Sequence, residues 1–103
     1  MSEPSFMKYK ELLKTILKTK KSRRIDLIKH SSNDFIKSLS EIALNVLKGV
    51  IPLTDKQKNQ LRKWKDILKT VTLKKTAVSK QRDLFASNPK LVSAILKPLV
   101  LHL

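Results

Sequence analysis

Lys58, Arg62, Lys65 and Lys69 stand four, three and four residues apart, the spacing that lines side chains along one face of an α-helix. A row of cations at that pitch suits a polyanion, since each ammonium or guanidinium releases a counterion condensed on a phosphate. The run begins at Lys56 and continues through Lys74, Lys75, Lys80 and Arg82, so that residues 56–82 hold ten basic residues and one acid, Asp66. Arginine occurs only at positions 23, 24, 62 and 82, and lysine dominates elsewhere. Reading base edges calls for arginine forks and Asn or Gln pairs, so this composition points to phosphate contacts that tolerate any sequence.

Other chemistries lack their residues. His30 and His102 are far apart, no acid pair is spaced for general acid–base work, and no glycine loop is present to cradle a phosphate. There is no cysteine, hence no disulfide framework and no thiolate zinc site. The chain reads as no enzyme, with no cofactor and no metal. His30 reads as a helix C-terminal residue beside the negative end of the dipole. Trp64 lies in register with Leu61 and Leu68, which assigns it to packing rather than to base stacking.

Charge gives the same direction at larger scale: 23 Lys and Arg against 8 Asp and Glu leave +15 at pH 7. A small domain so positive repels itself, and it gains most from an anionic partner. Nucleic acid is the first expectation, with an acidic protein or an anionic membrane behind it. The start of the chain has no uninterrupted apolar run of the kind a secretory signal needs, and the apolar stretch 91–103 is shorter than the roughly 20 residues that span a bilayer.

The elements that must position the basic row are two amphipathic segments, 31–48 and 55–72. Phe35, Leu39, Ile42, Ala43, Val46 and Leu47 recur helically in the first, and Leu61, Trp64, Leu68 and Val71 in the second. Between them Gly49 supplies a left-handed helix stop, Pro52 prevents continuation, and Thr54 with Gln57 has capping-box spacing. Ser31 with Asp34 offers a similar start to the first segment. This predicts a central antiparallel helix pair, whose six-residue connector is longer than the turn of a helix-turn-helix reader.

Around the pair, 6–20 reads as a first helix with Ser5 as cap, 24–30 as a short helix, and 73–82 as a basic connector, with a short helix available at 79–86. Asn88-Pro89 then caps a final apolar helix to about Lys97, which Pro98 should kink or end. The fold class is all-α, a small bundle of about five short helices, divided into a basic helical domain over 1–86 and an apolar C-terminal helix or tail over 87–103. A single glycine and a Lys, Leu and Ile excess favour helices over sheets.

The run Asn45-Val46-Leu47-Lys48-Gly49-Val50-Ile51-Pro52-Leu53-Thr54, followed by the basic helix and by Lys74-Lys75-Thr76 and Lys80-Gln81-Arg82, resembles a small basic protein of Polinton/Maverick elements and adintoviruses. The likeness covers about residues 23–85, and the C-terminal part of that family is similar to the adenovirus core peptide. The family tail usually opens on a Gly-Gly segment, where this chain has Ser87-Asn88-Pro89. The resemblance implies a DNA-condensing protein of the nucleus or virion.

Sequence thus leads to sequence-tolerant DNA binding and genome packaging through Lys56, Lys58, Arg62, Lys65, Lys69, Lys74, Lys75, Lys80 and Arg82. The alternative is a capsid-associated interaction module in which Leu91, Ile95, Leu96 and Leu99 dock on a capsid protein or a second copy. A weaker one is an amphipathic protein that lies on a membrane surface through 6–20 or the tail.

Overall fold

The computed structural model describes residues 5–100, with side chains from residue 7 onward; the cap expected at Ser5 and the apolar contact expected of Phe6 lie outside the described side chains, and His102 lies outside the described residues. Every regular element among them is helical, in the order of a 3-10 turn Ser5–Tyr9, α1 (Lys10–Lys18), α2 (Lys21–Lys29), α3 (Asn33–Leu47), α4 (Asp55–Leu61), a 3-10 turn Arg62–Trp64, α5 (Lys65–Thr72), α6 (Val78–Ser87) and α7 (Pro89–Val100).

α3, the longest helix, packs against α5, α6, α7 and the N-terminal 3-10 turn. Its sequence explains why: Phe35, Ile36, Leu39, Ile42, Ala43 and Val46 form a stripe wide enough to meet several neighbours, and all are buried. Helix α3 starts one residue later than the spacing predicts. Ser32, not Ser31, is the N-cap, with its Oγ accepting from the Phe35 amide at 3.0 Å. The Ser31 hydroxyl instead donates to the Ile28 carbonyl at 2.7 Å, satisfying the end of α2.

The exit from α3 follows the sequence closely. Gly49 has φ +75°, its amide donates to the Val46 carbonyl at 3.2 Å, and the Val50 amide reaches the Asn45 carbonyl at 3.0 Å. These two bonds are the Schellman pair that satisfies orphan carbonyls. At the next start the Gln57 amide donates to Thr54 Oγ1 at 3.1 Å while the Thr54 amide donates to Gln57 Oε1 at 2.9 Å, a complete capping box.

Three elements depart from expectation. Residues 55–72 are not one helix: the 3-10 turn at Arg62–Trp64 ends with Trp64 at φ −112° and ψ 20°, and α5 begins anew at Lys65. The two sides of this break have different partners, α4 packing on α7 while α5 packs on α3 and α6. The supposed connector 73–82 is helical from Val78, where α6 places Gln81, Phe85 and Ala86 inside. Buried Gln81 finds its partner across the turn, its Nε2 donating to the Val71 carbonyl at 2.8 Å, which is why a polar run conceals this helix. Finally, α7 runs through Pro98 to Val100. Pro98 and Leu99 are buried, and Pro98 falls in the last turn, where one forfeited amide bond interrupts little of the ladder.

α7 packs against α1, α2, α3, α4 and α6. Its Leu91, Val92, Ile95, Leu96 and Leu99 belong to the same apolar cluster as Leu13 and Ile16 of α1, Ile28 of α2 and Phe85 of α6. The C-terminal helix is thus integral to the core and shares it with the helices of residues 1–86.

Candidate nucleic-acid interface

The expected cations are distributed over five local structures. Lys56 and Lys58 lie on α4, Arg62 in the 3-10 turn, Lys65 and Lys69 on α5, Lys74 and Lys75 in the connection that follows, and Lys80 and Arg82 on α6. All except Arg82 are exposed. The break at Trp64 does not scatter the row, because Lys58, Arg62 and Lys65 border one groove beside the end of α3. Lys74 lies in a different cleft, against α3 at the α5–α6 connection.

No salt bridge is formed by these cations with another described residue. The salt bridge shown among the described residues is Lys8 to Asp34 at 2.6 Å, remote in sequence from the basic run. There the hydrogen bond from Lys8, followed by one from the Tyr9 hydroxyl, holds the Asp34 carboxyl below the usual carboxylate range, and the same bond with Asp34 raises the Lys8 ammonium. Tyr9 also meets Phe35 edge to face at 5.1 Å, tying this polar group to the core.

Arg82 has a different role from its neighbours. Its Nη2 donates to the Ser31 carbonyl at 3.0 Å and to Asn33 Oδ1 at 2.8 Å, pinning α6 to the α2–α3 connection. Arg24 behaves alike: its guanidinium donates to the Ile16, Leu17 and Thr19 carbonyls at the end of α1, and to the Pro89 carbonyl at 3.1 Å. These forks are fixtures of the fold, which leaves the lysines and Arg62 as the exposed cations of the expected set.

Three basic residues outside the expected set also come together. Lys63, Lys90 and Lys97 line a cleft of about 290 Å³ between the α4 end of the 3-10 turn and α7, with Arg24 at its wall and no Asp or Glu among its lining residues. Lys90 and Lys97 are seven apart, a same-face spacing readable in the sequence, but only the packing of α4 on α7 brings them beside Lys63. Trp64 is half-buried, packs against the core and forms part of this cleft.

Leu91, Ile95, Leu96 and Leu99, expected to face a partner, are at most 5% exposed. They are core residues. His30 is the exposed C-cap of α2. Among the described residues no group of His, Asp and Glu is arranged to hold a metal ion, and no helix is long and apolar enough to cross a membrane. No family model, curated protein or solved structure matches the chain.

Proposed function

We propose that the protein binds DNA irrespective of sequence and packages it by neutralising phosphates. The observation that carries this reading is the set of exposed cations at Lys56, Lys58, Arg62, Lys65, Lys69, Lys74, Lys75 and Lys80, none of them paired with a carboxylate among the described residues. Magnitudes agree with it. The molecule measures 32 × 30 × 30 Å, and 30 Å of duplex carries roughly 18 phosphate charges at one per 1.7 Å, close to the +15 of the chain.

In this reading the row is presented from both sides of the break at Trp64, by α4 packed on α7 and by α5 packed on α3, and the cleft of Lys63, Lys90 and Lys97 extends the positive surface around the 3-10 turn. Exposed lysines on flexible stems follow a phosphate backbone without demanding fixed geometry, which is what sequence tolerance requires. The resemblance to the Polinton/Maverick and adintovirus protein adds a setting, the virion or nucleus. Contact with a capsid protein or a membrane through α7 or the first helix draws no support from the packing, because Leu13, Ile16 and the α7 stripe are internal.

The test is fluorescence anisotropy with labelled duplexes of unrelated sequence, titrated across salt. Affinity should differ little between sequences and fall with salt at a log–log slope of about −5 or steeper, from about −0.9 for each of six or more phosphates neutralised. A flat salt dependence, or no binding at low salt, refutes the reading.

A further inference from the structure

We propose that the groove between the end of α3 and the α4–α5 segment docks an acidic amphipathic helix of a partner protein. Its floor is apolar: Val46 and Leu47 from α3, Ile51 and Leu53 from the connector, and Leu61 and Leu68 from α4 and α5, around a cavity of about 490 Å³. Lys58, Arg62 and Lys65 stand along its edge, and no Asp or Glu is among its lining residues. An occupant must therefore offer apolar side chains and negative charge together.

The shape of the apolar surface selects among such occupants. Leu47, which lines the groove, is 45% exposed, so the apolar wall opens to solvent there, and Val50, between the lining residues Gly49 and Ile51, is 67% exposed. Small-molecule sites close around their ligand and bury most of it. An open apolar trough suits the ridge of a helix, whose anchors recur at i, i+3 or i+4, and i+7. DNA presents phosphates and sugars and has no ridge to fill the floor. A second copy of this chain brings +15 against +15 and has too few acids to meet the rim. Complementarity of charge thus assigns the groove to a different chain, with Leu, Ile or Phe on one stripe and Asp or Glu beside it. Lys58, Arg62 and Lys65 cannot serve a carboxylate and a phosphate at once, so an acidic helix in the groove competes with duplex for these three cations.

The probe is a labelled synthetic helix with a leucine stripe flanked by glutamates, titrated against the full chain by fluorescence anisotropy. Two controls accompany it, one with serine in the stripe at unchanged charge and one with lysine replacing glutamate. The leucine–glutamate helix should bind about tenfold or more tightly than either control, the size expected when apolar anchors are withdrawn. Leu47→Ser with Val50→Ser, both exposed positions, should weaken that helix by about tenfold while helical circular dichroism and duplex affinity stay within about twofold. Lys58→Gln with Arg62→Gln should weaken peptide and duplex alike. Equal binding of the serine control, or indifference to the Leu47 and Val50 substitutions, overturns the proposal. So does binding of phosphatidylserine vesicles that depends on Leu47 where the helix fails to bind, since the surface is then a lipid site. Intact peptide binding in the Lys58→Gln, Arg62→Gln variant overturns the proposal as well, whereas an unaltered chain that binds the helix but no duplex overturns the nucleic-acid reading alone.

Discussion

Two of the four arginines serve the fold, while Arg23 and Arg62 share the surface with the lysines. Arg24 and Arg82 turn planar forks inward to backbone carbonyls, whereas the lysines of the 56–80 run all face water. Arg82 Nε is buried without a partner, so its two Nη2 bonds carry the anchoring. Arg82→Ala should lower stability to urea by about 1.5–3 kcal/mol, the usual range for hydrogen bonds to a charged group. Lys80→Ala should leave stability within about 0.5 kcal/mol and reduce the salt slope of duplex binding by about one. Two side chains two residues apart in a basic run thus differ in setting, Arg82 bonded into the fold and Lys80 free at the surface for the phosphate contact proposed above. Sequence offers no way to tell them apart, because both are cations in a polar stretch and only the position of the α2–α3 connection selects Arg82.

Helix ends show where local chemistry suffices. The stop at Gly49 and the capping box at Thr54 are legible because every partner lies within a few residues. Gly49→Ala should cost about 1–2 kcal/mol, as read by thermal unfolding, since φ +75° brings an alanine Cβ too near the following carbonyl. A Cβ there meets no other atom within 4 Å, so the loss is purely conformational, and an Asn at 49 should recover part of it. Ser31 and Ser32 show the limit of this approach. Either hydroxyl has plausible capping spacing, and the choice was made by the Ile28 carbonyl, which occupies Ser31.

For the molecule as a whole, the decisive fact is that α7 lies inside the core. Ile95→Ala should destabilise by about 2–5 kcal/mol, and removal of residues 90–103 should abolish cooperative unfolding monitored by circular dichroism, since five buried apolar side chains leave with it. Retention of a cooperative transition after that deletion would show a core that closes without α7. What the sequence determined by itself was the all-helical class, the excess of positive charge and the α3 exit, because composition, apolar period and capping act over one or two turns. It also determined that the stripe of Leu91, Ile95, Leu96 and Leu99 must be covered. It did not determine by what, since periodicity reports the need for burial and is silent on whether the cover is the same chain or another. The tertiary structure decided that, along with the break at Trp64, where Leu61, Leu68 and Val71 keep an unbroken helical period while α4 and α5 turn to different neighbours. The same packing left Leu47 and Val50 exposed, and at the end of α3 it formed a groove in which an apolar floor meets Lys58, Arg62 and Lys65.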